Sequence, residues 1–416
     1  MVARTERDYQ RFVDRYAAHY PRFSNKEFER RYSEIRKMMA SKGLGCLIIY
    51  GDSIKSNRFQ ANVRYVSNFV DEVMSHVFFP LEGDPTHWMD IRPHIPNARA
   101  VSVIKDIRSR SKGPLGRVNM GGLIAERIKE ARLENGRIGI VGHTLIPSMP
   151  HDVMQSLKEK LPNAQFVTVT SEYDAIQAVH SDEEVKFMQK AAQFTDLAAE
   201  AMRKAIKPGV TEAEVYGRTH AAYLVKGGEF DFSLIGSTSM SDPNMPYPFP
   251  IPSNRKIRAG DIVETEISAG YWGYEGQVCR TFSVKKRPTR EWQDLFDLAL
   301  EVYKDIQKVL KPGNTLKDVA KISTKITEAG YIAEAPVIHG LSPGAGYGSG
   351  YSVWVPDEGI PEVPDKKFKE NLPIMIEPNP CTKDLKMGVF MGNANRVTEY
   401  GGKSYQKFPL EFIVTR

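Results

Sequence analysis

Gly260-Asp-Ile-Val-Glu-Thr-Glu-Ile-Ser-Ala-Gly-Tyr-Trp-Gly-Tyr-Glu-Gly-Gln-Val-Cys-Arg-Thr-Phe282 reads as a hairpin of two strands behind a Gly-Asp turn. Successive side chains alternate along a strand, so Glu264 and Glu266 share one face while Val263, Thr265 and Ile267 share the other. Two carboxylates on one face form an ordinary solvated pattern, and Glu264 is read as a surface group. Tyr274 and Glu275 fall at the tip as rim groups, and Gln277, Cys279 and Arg280-Thr281 lie on the return strand.

The remaining composition bounds the problem without naming a reaction. A chain of 416 residues with 41% hydrophobic and 26% charged content is long enough to bury two cores, because single cores stop growing near ~250–300 residues. A net charge of +6 with no arginine-rich or aromatic-interleaved basic tract disfavours a nucleic-acid partner. The opening Met1-Val-Ala-Arg-Thr-Glu-Arg-Asp has no apolar core of signal-peptide length, and no stretch suits a membrane span. Cys46, Cys279 and Cys381 are widely spaced and odd in number, which fits a reduced, cytoplasmic setting.

Two domains are expected, 1–170 and 171–416. In the first, a helix from Glu27 to Leu44 runs into the strand Cys46-Leu-Ile-Ile-Tyr50. A strand at Val77–Pro80, a helix at Leu123–Leu133 and a strand at Ile138–Val141 follow, the alternation of an open α/β layer domain. The second domain opens on the capping box Ser181-Asp-Glu-Glu184, and its helix stops at Lys207-Pro208-Gly209 before a second box at Thr211 and Glu214. The same sequence of signals returns at Lys311-Pro-Gly-Asn-Thr315, which implies two related halves about a pseudo-two-fold, each with two helices and a hairpin.

The Gly260–Phe282 hairpin resembles the first half of the dinuclear metal site in the creatinase, Xaa-Pro peptidase and methionine aminopeptidase family. Further matching stretches are His339-Gly-Leu-Ser-Pro343 with Gly350, Ile376-Glu377-Pro378, and Gly388-Val-Phe-Met followed by Gly392. Asn62-Val-Arg-Tyr65 ahead of Asn68-Phe69 is similar to an element of the N-terminal domain in the two-domain members. The resemblance implies an α/β N-terminal domain followed by an α+β pita-bread domain with an internal pseudo-two-fold repeat. It also implies that Gln277, Pro343, Gly350 and Gly392 stand where the peptidases carry metal ligands, leaving Glu266 and Glu377 able to coordinate. No metal and no other cofactor is therefore expected.

By the same resemblance, Glu377 and Glu266 bind the cationic part of a substrate and His339 moves a proton, as catalytic residues. Tyr247, in the proline-rich Asn244–Pro252 segment, and Gln277, Cys279 and Arg64 are read as substrate-binding. The function so implied is a metal-independent, creatinase-like hydrolase that cleaves a C–N bond, in an amide, amidine or ring, of a small polar nitrogen compound. Alternatives are an Xaa-Pro dipeptidase or aminopeptidase with a residual metal site, a lyase, and a non-catalytic binding protein on the same scaffold. The implied assembly is a homodimer in which an arginine from the first 100 residues of one subunit, among them Arg58, Arg64 and Arg92, enters the neighbour's pocket.

Overall fold

The computed structural model describes residues 15, 17–53, 57–110, 118–142, 149–341 and 349–415, and the side chains of all of these but 57 and 58. The chain divides into two compact units, Met1–Gln177 and Ala178–Arg416. That division falls seven residues beyond the boundary expected after 170, because the helix Thr170–Gln177 packs Tyr173 and Ile176 into a core of the first unit.

In the first unit, strands β1 (Cys46–Asp52), β2 (Met74–Pro80), β3 (Thr86–Met89), β4 (Asp106–Ser109), β5 (Arg137–Val141) and β6 (Gln165–Thr168) form a mixed sheet in the order β4-β3-β2-β1-β5-β6. Helix α1 (Asn25–Ser41) is started by Ser24, whose side chain accepts from the Glu27 amide, and it buries Phe28, Ile35 and Met39. Its Arg31 is almost fully buried, yet it is satisfied by Glu27 at 2.7 Å and the Tyr65 carbonyl at 3.0 Å. The Asn62–Tyr65 element forms helix α2 (Ala61–Ser67), every residue of which is buried. Helices α3 (Ile95–Val101), α4 (Met120–Glu130), α5 (His151–Lys160) and α6 (Thr170–Gln177) complete the unit.

The second unit is built twice. Its first half contains α7 (Asp182–Ala205), α8 (Glu212–Leu224), β7 (Glu229–Ser239), β8 (Asp261–Tyr271) and β9 (Tyr274–Val284). The second contains α9 (Arg290–Val309), α10 (Leu316–Glu328), β10 (Ile338–Gly340), β11 (Ser352–Val353), β12 (Pro373–Ile376) and β13 (Gly392–Thr398). Among the described residues the first half thus carries two helices and three strands and the second two helices and four, more than the helices-and-hairpin expectation, since β7 precedes one hairpin and β10 and β11 the other. The strands join in the order β11-β10-β12-β13-β9-β8-β7, with β14 (Gly401–Ser404) on β13 and β15 (Ile413–Thr415) on β9.

The repeat is carried by matching backbone details. Gly209 and Gly313 both have φ 91°, a conformation open to glycine at no steric cost. Thr211 bridges Lys256 and Thr315 bridges Lys367, at the same place in each half. Four residues beyond those lysines, Gly260 and Asn371 both adopt left-handed φ and donate to Val284 O and Val397 O. Glu266 and Glu377 then stand at the same distance past Lys256 and Lys367, so the two carboxylates occupy equivalent positions. The halves meet where β9 and β13 pair, with Cys279 opposite Gly392 and Val278 opposite Asn393.

Candidate functional site

The seam between the halves gathers five polar side chains. The tight turn at Trp272 and Gly273, both with positive φ, matches the twist of the strands it joins and fixes the register of β8 on β9. That register sets Glu266 opposite Cys279 and Ser268 opposite Gln277. From the other half, Glu377 leaves the end of β12 with its amide bonded to Val337 O at 2.9 Å, and His339 comes from β10.

Gln277 Nε2 donates to Glu266 Oε1 at 2.6 Å and approaches Glu377 Oε2 at 3.3 Å. Cys279 Sγ donates to the same Glu377 oxygen at 3.4 Å. His339 Nδ1 donates to Gly340 O at 2.9 Å, which turns Nε2 toward Glu377 Oε1 at 3.1 Å. Gln277, Cys279, His339 and Glu377 are all buried, while Glu266 is partly exposed and forms the open side of the group.

Burial works against a charged imidazole at His339, but the facing Glu377 carboxylate and the Gly340 carbonyl outweigh it and hold its pKa above the ordinary value. The Cys279 thiol moves the other way from a reactive cysteine. Burial, reinforced by Glu266 and Glu377, pushes it well above the usual range, so it stays protonated when nothing but protein surrounds it.

An arginine that the sequence reading left without a role holds the seam. Arg280 is 1% exposed and donates to Cys279 O and Gly392 O at 2.7 Å, and to Asn393 Oδ1 and Phe408 O at 2.8 Å. Burial lowers its pKa to about 10, which still leaves it charged at neutral pH. Thr281 adds a reciprocal pair of bonds, to Phe390 O at 3.0 Å and from Phe390 N at 2.8 Å. The adjacent Arg-Thr pair in the sequence was the available signal for this role.

Several expectations are corrected. Glu264 is not a surface group: it is fully buried, neither carboxyl oxygen has a hydrogen-bond partner among the described residues, and burial pushes its pKa well above the usual range. The alternation rule placed it on the right face, but that face is covered by protein. Tyr274 and Glu275 are buried rather than rim groups, and the Tyr274 hydroxyl donates to Glu184 of the α7 capping box at 2.7 Å. The Tyr247 hydroxyl is engaged by the protein itself, donating to Asn379 O at 3.3 Å and accepting from Glu334 N at 2.6 Å. Tyr247 is therefore not one of the five; Arg64 is 5% exposed on α2 in the first unit. Pro343, most of the glycine-rich run and the Arg58 side chain lie outside the described residues.

A doubled helix-and-hairpin unit with paired carboxylates at its seam, preceded by a mixed α/β unit, defines a two-domain pita-bread protein. This chain belongs to Metallopeptidase family M24, whose pattern it matches over residues 186–399, and residues 31–179 match the Creatinase/Prolidase N-terminal domain. Among curated proteins, it is similar to an Xaa-Pro dipeptidase of Pyrococcus horikoshii, 25% identical over 277 residues that cover 66% of this chain and 76% of that protein. An Xaa-Pro dipeptidase of Pyrococcus furiosus is 26% identical over 69% of this chain and 78% of its own length. Among solved structures, a prolidase from Thermococcus sibiricus superposes with a TM-score of 0.75 at 22% identity, covering 95% of this chain and all of that one. An X-Pro aminopeptidase from Thermotoga maritima gives 0.74 at 17% identity, over 92% and 99%. Among the described residues no helix is long and apolar enough to cross a membrane.

Proposed function

We propose that this chain hydrolyses the C–N bond of a small, dipeptide-like substrate at the Glu266–Gln277–Cys279–His339–Glu377 group. The observation that carries the reading is the buried His339–Glu377 pair at 3.1 Å beside a partly exposed second carboxylate. Similarity to proteins described as Xaa-Pro dipeptidases favours the peptide-bond alternative over the creatinase-like one.

In this reading, Gln277 donates to Glu266 Oε1, and the Glu266 carboxylate takes a proton from the attacking water as the water oxygen adds to the carbonyl carbon. His339, whose pKa the facing Glu377 carboxylate raises, gives its Nε2 proton to the leaving nitrogen as the C–N bond breaks. A pair of metal ions, which the family description implies, does not fit these residues. Gln277 brings a neutral amide onto the Glu266 carboxylate, and a Cβ on Gly392 would stand 2.4 Å from Ile376 O, leaving no room there for a further carboxylate to supply the donors that two cations need. No step is routed through such a pair.

The test is turnover by the purified full chain on a panel of Xaa-Pro dipeptides beside guanidino, amidine and lactam compounds, read by release of free amine. Dipeptide cleavage lost in His339→Gln is the expected result. Turnover confined to the guanidino or lactam compounds returns the creatinase-like reading, and elimination products without water uptake return the lyase.

A further inference from the structure

We infer that a cavity between α7 and the β13–β14 hairpin binds a phosphate group, free or carried by a small molecule. The site is made of residues other than the Glu266–Glu377 group, and it stands whether or not the proposed reaction does. The cavity holds about 320 Å³, within the range of small-ligand sites. The wall from β13 onward brings Arg396, Lys403 and Lys407 to it, and α7 brings Asp196.

Backbone pairing sets two of these cations face to face. Arg396 on β13 and Lys403 on β14 are direct partners in the antiparallel register, and like charges directly opposite each other destabilise a sheet. Among the described residues, no carboxylate lies within ion-pair distance of Arg396, Lys403 or Lys407. The acid of the cavity is engaged by main chain instead. Asp196 accepts from the amides of Lys407 and Phe408, each at 2.9 Å. A compact anion between the strands would remove the repulsion that the register imposes.

The cationic wall is held by the fold rather than hung on a loose loop. Tyr405 N donates to Ala394 O at 2.9 Å, and Gln406, 6% exposed, donates from Nε2 to Gln277 O at 3.0 Å and to Thr195 Oγ1 at 3.2 Å. Tyr405 also lines the cavity, and its hydroxyl is closed off from solvent without a hydrogen-bond partner among the described residues. Burial keeps that hydroxyl protonated, and therefore a donor, beside Arg396. Buried polar atoms nearly always have a partner in protein, water or ligand.

The donor set selects the guest. Arg and Lys together suit phosphate oxygens, which accept charge-assisted hydrogen bonds from both. The cavity is larger than a bare phosphate, and the exposed amides of Gln189 and Gln193 supply hydrogen bonds for a polar remainder. A small phosphomonoester is the class that uses all of these groups.

Calorimetric titration of the full chain at constant ionic strength, with inorganic phosphate and with glycerol 3-phosphate, should show saturable uptake of one anion per chain. Tighter binding of the ester is expected, and equal or tighter binding of phosphate would keep the site and make the free anion its ligand. Lys403→Gln and Lys407→Gln, both at exposed positions, should each weaken binding about 10-fold or more, the effect of one lost charge-assisted contact. Lys321→Gln, an exposed change on α10, should leave it unaltered. Glycerol 3-phosphate should also raise the melting temperature of the unaltered chain more than that of Lys403→Gln. No saturable uptake of either anion, equal losses at Lys321 and Lys403, or uptake of a polyglutamate peptide alone overturns the inference.

Discussion

Glu266 and Glu377 hold the same place in the two halves of the second unit, but they do not have the same chemistry. Glu377 is 2% exposed and faces an imidazole, while Glu266 is partly open and receives an amide from its own hairpin. The duplicated backbone sets where the carboxylates stand, and the side chains arriving from neighbouring strands decide which one is paired with a proton donor.

Breaking that asymmetry should have the largest effect. Glu377→Gln removes the carboxylate that raises the His339 pKa, and turnover should fall about 10²-fold or more, the size of an acid–base loss, with the fold intact by circular dichroism. Glu264→Gln should leave turnover within a few-fold, because it replaces a buried neutral acid with a neutral amide of the same shape. Equal losses at both positions would mean that the face of β8, rather than the pairing, carries the effect.

The seam itself is tested at Arg280. Arg280→Met leaves four acceptors from both halves without their donor. A loss of about 3 kcal/mol or more is expected in urea unfolding, since hydrogen bonds to a charged group are worth about 1.5–3 kcal/mol each. A loss under 1 kcal/mol would show that the halves hold together without it.

A smaller change compares the helix starts. Thr211 Oγ1 accepts from Glu214 N at 3.1 Å and its own amide donates to Glu214 at 2.9 Å, whereas Thr315 forms its capping box with the shorter side chain of Asp318, to which its amide donates at 2.8 Å. Thr211→Ala should cost about 1 kcal/mol, the usual worth of an N-cap, and Thr315→Ala less. Equal losses in thermal melts would mean the two caps are the same device.

The last prediction has no effect at neutral pH. Burial lowers the pKa of His220, on α8 of the first half, to about 4 from an ordinary 6.5. Between those values the unfolded chain binds a proton that the folded chain does not, so stability is full above 6.5 and is lost as the pH falls toward 4. Hydrogen exchange should report the loss around α8 before the second half, and His220→Gln should flatten it.

Much of this was legible in the chain alone. The Lys-Pro-Gly stops and the Thr-x-x-Glu/Asp boxes encode local backbone geometry, so they announced the duplicated unit before any contact was known. Residue order could also put Glu266, Gln277, Cys279, His339 and Glu377 forward as a group, through the family likeness of the motifs around them. Burial was not legible: Glu264, Tyr274 and Glu275 read as exposed because alternation assigns a face, and whether a face is wet depends on what packs over it. Nor could the sequence foresee that Tyr247 engages its hydroxyl with Asn379 and Glu334, or that Arg280 pins three acceptors on Gly392, Asn393 and Phe408, since those partners lie 87 to 132 residues away. The sequence alone determined the repeat and the identity of the polar groups, which depend on neighbours along the chain. The tertiary structure alone decided which carboxylate meets the imidazole and which is sealed away, because the pairing of β9 with β13 joins residues more than 100 positions apart.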